Sequence, residues 1–154
     1  MITALEQRLG SLSEGLPKLP AGAVAWLTRW AWLISLVVGI LFALDAVQLA
    51  RLATELGSSL AGIFFVSTHV TSELYLAAAL TAVFAVLYIA ATGPLKRGRY
   101  RGWRLIFVGT VLQLAFGIVI AIFVGVGGVL ETLIEIAIGW YLLFQIRPNF
   151  AAQD

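Results

Sequence analysis

No cysteine occurs anywhere in the chain, which excludes disulfides, thiol nucleophiles, iron–sulfur clusters and cysteine zinc sites. Histidine is almost as scarce: His69 stands alone, so one chain cannot supply both axial ligands of a bis-histidine haem. The nucleophile elbow, the phosphate-binding loop and the zincin pattern are also missing. Common signatures of hydrolases, nucleotide-dependent enzymes and metalloproteases are thereby removed. Charged side chains make up 12% of the residues, about half the share in a soluble domain. No charge falls between Leu74 and Leu95, or between Leu105 and Leu130.

What remains is apolar. Hydrophobic residues are 61% of the 154 positions, with a mean hydropathy of +0.99, and each uncharged run exceeds the ~20 residues a helix needs to cross a bilayer core of ~30 Å. The expected fold is an all-α membrane protein, a four-transmembrane-helix bundle preceded by an N-terminal amphipathic interfacial helix. Residues 1–20 form that surface helix: Ile2, Leu5, Leu9, Leu12 and Leu16 recur at three- and four-residue spacing with polar residues between them, and Pro17 and Pro20 end it. Residues 21–154 form one domain with spans near 24–49, 72–92, 102–124 and 129–146. The stretch 56–72 reads as a surface or partly inserted segment, with a long helix starting near Leu60 as the alternative. Gly93-Pro94 closes the second span, Gly125 to Gly128 makes a tight turn, and Pro148 and Asn149 stop the fourth span. The first apolar segment is too long for a cleavable signal and lacks a small-residue cleavage site, so it reads as a retained span.

Orientation follows from the basic residues. Lys96, Arg97, Arg99, Arg101 and Arg104 lie in or beside the loop between spans two and three, and Arg8, Lys18, Arg29 and Arg147 fall on the same side, with Arg51 opposite. The positive-inside bias makes that side cytoplasmic, with both termini on it, in a cell (inner) membrane. All five tryptophans, Trp26, Trp30, Trp32, Trp103 and Trp140, sit near this face, where indole favours the headgroup boundary. The pI near 9.3 therefore reflects topology and contact with anionic lipid, and nucleic acid is not an expected partner.

Polar residues inside the spans are the candidate functional positions. At about 1.5 Å of rise per residue, Gln113 lies about 14 Å from Arg104 and Glu135 about 18 Å from Arg147, both near the midplane. Asp45 and Glu131 fall in the outer third, and Arg51, His69 and Glu73 at the outer face. Glu131 and Glu135 must enter the membrane with span four, because Ile136 to Ile146 is too short to cross alone. An acid near the centre costs roughly 2.5 to 3.5 kcal/mol, so both should turn inward or be protonated. Gln113 is the expected neutral partner of Glu135, from the adjoining helix. Gly109, Gln113, Gly117, Ala121 and Gly125 recur every four residues as a small-residue packing seam. Grouping of Asp45, Glu73, Glu131 and Glu135 would suit proton exchange or a hard cation. His69 and Glu73 share a helix face but do not match the Glu-x-x-His pairs of di-iron proteins, and no catalytic residue, metal site or cofactor is expected.

The closing segment Gly139-Trp140-Tyr141-Leu142-Leu143-Phe144-Gln145-Ile146-Arg147 resembles that of a family of small bacterial four-span membrane proteins of unassigned function. Leu16-Pro17-Lys18-Leu19-Pro20, the tryptophans at 26–32 and the basic loop before Gly102-Trp103 fit the same resemblance, which implies the architecture alone. Small multidrug transporters are shorter, with an acid in the middle of the first span, and disulfide-forming membrane enzymes need cysteines. The expected role is a non-catalytic integral membrane subunit or assembly protein, packing in the bilayer against a second copy or another membrane protein. A proton- or cation-coupled small transporter or channel using Asp45, Glu131 and Glu135 is the alternative, and a membrane enzyme acting on a lipid or quinone is third.

Overall fold

The computed structural model describes residues 6, 8–10, 15, 17–60, 68–124 and 129–151, with side chains described for 6, 8–10, 15, 17–58, 70–119 and 133–150. Four helices run through them: α1 (Ala21–Leu60), α2 (Thr68–Lys96), α3 (Tyr100–Val124) and α4 (Val129–Ala151). No strand occurs among the described residues. Three of the helices, α1 to α3, are long and apolar enough to cross a membrane. Of the expected N-terminal helix, Glu6 and Arg8 to Gly10 are helical; most of the rest lies outside the described residues, as does the expected turn at 125–128.

Helix α1 is longer than the span expected at 24–49. It holds 40 residues, about 60 Å at helical rise. Pro20 starts it by accepting from the N–H groups of Ala23 and Val24 at 2.9 and 3.1 Å. The segment 56–60, expected on the surface, continues this helix, and α2 is already helical at Thr68. The two pack together along their length. Ser35 Oγ donates to the Tyr88 carbonyl at 2.7 Å, Phe42 lies against Phe84 and Tyr88, and Thr54 and Tyr75 share a hydrogen bond of 3.0 Å. A Cβ on Gly39 would stand 2.7 Å from Ile89 Cγ1 and 3.1 Å from its backbone nitrogen, so the absent side chain permits this crossing.

Proline does not end the helices where expected. Pro94 lies inside α2 and Pro148 inside α4. Each removes one backbone hydrogen bond from a final turn, and buried Leu95 and Phe150 anchor the residues beyond. The stop of α2 falls instead at Gly98, whose φ of 68° places it in the left-handed region. Its N–H reaches the Leu95 carbonyl at 3.0 Å and the Arg99 N–H reaches Pro94 at 2.9 Å, the paired bonds of a Schellman cap. The cap folds α3 back onto α2 so tightly that a Cβ on Gly102 would lie 2.6 Å from the Leu95 nitrogen.

The core gathers at the basic end. Ala31, Ala91, Leu95, Trp103, Phe107 and Phe144 are buried there together, with Phe150 beneath. Tyr100 and Trp103 stack at 5.3 Å and Trp103 and Phe107 at 5.4 Å, while Phe144 meets the last two edge-on. Such pairs contribute about 0.5–1.5 kcal/mol each beyond area burial. The tryptophans therefore divide. Trp26 and Trp30 are exposed and suit an interfacial belt, whereas Trp103 is fully buried and Trp140 half-buried, because their N–H groups find partners within the fold.

Candidate functional site

Two features stand out: a polar clasp at the basic end and a cleft above it. The clasp centres on Arg147. Its Nη2 donates to Glu6 Oε1 at 2.7 Å, and its guanidinium lies 5.6 Å above the Trp103 ring. Tyr100 donates its hydroxyl to the same Glu6 oxygen. Arg147 Nε is buried without a hydrogen-bond partner, and the aromatic face beside the guanidinium offsets part of that cost. Around this centre Trp103 Nε1 donates to the Leu143 carbonyl at 2.7 Å, and Tyr141 Oη to the Pro17 carbonyl at 2.7 Å. Asn149 Nδ2 donates to Thr28 Oγ1 at 2.8 Å. The last helix is thus held to α3, to the start of α1 and to the chain before it.

Above the Asn149–Thr28 bond α1 and α4 part. The space between them, backed by α3 and by Tyr88 of α2, is a partly open cleft of about 230 Å³. Leu27, Ile34, Val38, Ile106, Leu142 and Ile146 make its walls apolar, and Ala31 and Gly139 keep them low. Two of its polar groups are already committed. Ser35 donates to the Tyr88 carbonyl, while Thr110 donates to the Phe107 carbonyl at 2.8 Å and accepts from Trp140 Nε1 at 2.8 Å. With those hydroxyls engaged, the lining offers mainly apolar surface.

The sequence-predicted residues are not brought into one group. Gln113 is half-buried, while Asp45, Arg51, Glu73 and Glu135 are exposed. His69, Ala121 and Glu131 lie in helices but their side chains are outside the described set, and Gly125 is outside it altogether. The expected inward turn of Glu135 onto Gln113 is not made. The face of α3 that carries Gly109 meets α2, where a Cβ would come within 3.2 Å of Tyr88 Cε2, and Gln113 follows Gly109 by one turn. Glu135 lies on the part of α4 beyond the aromatic core, where its neighbours Leu133, Ile134 and Ile138 are exposed too. At Gly109 the small-residue seam accordingly packs against the preceding helix. Half-buried Gly117 is the next member of that seam. Among the described residues no group of three or more His, Asp or Glu is placed to hold a metal ion.

Glu135 and Asp45 do share a relation to the cleft. On α4 the lining residues Ile146, Leu142 and Gly139 recur at four- and three-residue steps, and Glu135 is the next position on that stripe. On α1 the stripe Leu27, Ala31, Ile34 and Val38 reaches Asp45 seven residues further. Helical periodicity therefore sets one carboxylate on each wall, beyond the apolar part.

Sequence reasoning missed Glu6, Tyr100, Trp103 and Arg147 as a set. A signal was present in Tyr100, Trp103 and Phe107, an aromatic stripe at steps of three and four. Gly39 and Gly102 were missed because isolated glycines show no period.

These features define a multi-pass helical membrane protein. The chain matches no family model, no curated protein and no solved structure. The closing segment that carried the family resemblance takes part in both features: Tyr141, Phe144, Gln145 and Arg147 make contacts in the clasp, and Trp140 bonds to Thr110 at the cleft.

Proposed function

We propose that the chain is a non-catalytic subunit or assembly protein of a membrane complex, crossing the inner membrane four times with both termini and the basic loop cytoplasmic. The observation that carries this reading is the open seam between α1 and α4, joined at the basic end by Asn149 and Thr28 and apolar above. α4 would be the fourth span. It carries Glu135 exposed about 18 Å from Arg147, where an acid facing lipid costs roughly 2.5 to 3.5 kcal/mol. A protein surface covering the seam removes that cost, and two of the cleft's three polar side chains are internally satisfied, which argues against chemistry there. Purification in mild detergent tests it: a complex or a defined oligomer is expected, and a lone monodisperse monomer overturns the reading.

A second reading, a proton- or cation-coupled transporter, draws on Asp45 and Glu135 falling on the two walls of one cleft. Flux in reconstituted liposomes that disappears in Glu135→Gln supports it, and no flux under proton, sodium or potassium gradients counts against it.

A further inference from the structure

We infer that the α1–α4 cleft is the seat of a transmembrane helix from a different protein, one that carries a lysine or arginine between the levels of Asp45 and Glu135. The inference rests on the subunit reading above and names the partner's chemistry.

Shape comes first. At the basic end the Asn149–Thr28 bond and the Pro17 contacts of Tyr141 and Gln145 cross the region below the cleft. Its low points are Ala31, Ser35 and Gly139, and a Cβ at Gly139 would meet nothing within 4 Å. Small residues on both walls admit a helix backbone closely, as in small-residue packing between membrane helices.

Charge decides the occupant. An acyl chain in the cleft would leave Asp45 and Glu135 against hydrocarbon with no donor. A second copy is no better. Between Arg29 and Arg51 the chain has no basic residue, nor from Leu105 to Ile146, so a second copy in the same orientation sets acid against acid. Arg51 lies six residues past Asp45, about 9 Å further along α1. A partner helix with one basic side chain supplies the ammonium or guanidinium that two carboxylates call for, and in a low-dielectric site such a pair also fixes depth and register.

The experiment places a photo-crosslinking amino acid at Leu142 in the full-length chain, in its native membrane, and identifies the adduct by peptide mass. The expected adduct is with a transmembrane segment of another protein bearing Lys or Arg within about two turns of the linked residue. Its yield should fall at least fivefold, about 1 kcal/mol of binding, in Asp45→Asn with Glu135→Gln, and persist in Glu135→Asp. Both acids are exposed, and unchanged thermal unfolding of the variants shows that the fold is intact. Adducts with lipid, with a second copy or with a segment lacking basic residues overturn the inference, as do an unchanged yield in the double variant and the absence of any adduct. If the chain still purifies as an oligomer or complex, the subunit reading survives that failure; if it is a lone monomer, both fall.

Discussion

Arg147 reaches back along the chain to Glu6, with Nη2 and Oε1 2.7 Å apart and the two residues 141 positions apart in sequence. Glu6 is 4% exposed, and its Oε1 also accepts from Tyr100. Replacing it by leucine strands both donors, a loss of about 1–3 kcal/mol; partial exposure of Arg147 sets the lower half of that range as the expectation. Glu6→Gln keeps an acceptor oxygen and should lose about 1 kcal/mol or less. Thermal unfolding in detergent, followed by near-ultraviolet circular dichroism of the tryptophans, should rank wild type above Gln and Gln above Leu. Equal stability of all three would show that the contact contributes nothing.

Trp103 offers a sharper contrast. It is fully buried, whereas Trp26 is 57% exposed. Trp103→Phe removes the donor to the Leu143 carbonyl and part of three ring contacts, which should cost about 1–3 kcal/mol. Trp26→Phe should stay within about 0.5 kcal/mol of wild type. Comparable losses at both positions, measured by the same unfolding signal, would contradict the division of tryptophans between core and surface.

Glycines divide in the same way. Gly102→Ala drives a Cβ to 2.6 Å from a backbone nitrogen, while Gly139→Ala meets nothing within 4 Å. The first should destabilise by about 1–3 kcal/mol through overpacking, and the second should be neutral or slightly stabilising, because alanine is the better helix former. Unfolding midpoints that rank the other way would mean that α2 and α3 do not approach as closely as described.

The length of α1 bears on topology. If Arg29 marks the cytoplasmic boundary, Ser58 lies about 44 Å further along the helix, well past a ~30 Å core. An impermeant thiol reagent should label Ser58→Cys in intact cells and reach Arg97→Cys only after the membrane is opened. The chain contains no cysteine of its own, so each label reports one site. Labelling of Arg97→Cys in intact cells would reverse the assigned orientation.

Helix type and approximate number were legible because apolar runs such as 74–95 carry no charge to confuse them. The ends were less so. Pro94 and Pro148 read as stops, yet burial of Leu95 and Phe150 one and two residues later outweighs one lost backbone bond. The candidate site was legible in composition but not in arrangement. Asp45, Gln113 and Glu135 are conspicuous for polarity, but which helix each faces depends on crossings set by Gly39 and Gly102, and single glycines leave no trace in a periodic pattern. The clasp was obscured for a different reason: Glu6 and Arg147 lie at opposite ends of the sequence, and nothing local links them.

Gln113 and Glu135 supply the last test. They were expected to bond across the α3–α4 pair, and they sit on faces that point elsewhere. Gln113 follows Gly109 on the side of α3 that meets Tyr88, while Glu135 is exposed on α4. Two residues that share no partner should have additive effects. A double-mutant cycle with Gln113→Leu and Glu135→Leu, read as unfolding free energy in detergent, should give a coupling below about 0.5 kcal/mol. Glu135→Leu alone should leave the isolated chain as stable or make it more so, since an exposed carboxylate contributes no internal contact and leucine suits a detergent-covered surface. On the subunit reading, the same substitution should weaken association within the complex, because the carboxylate would be covered there. A coupling of about 1 kcal/mol or more would mean that α4 turns Glu135 inward onto Gln113, and the unpartnered seam between α1 and α4 would no longer be needed to account for it.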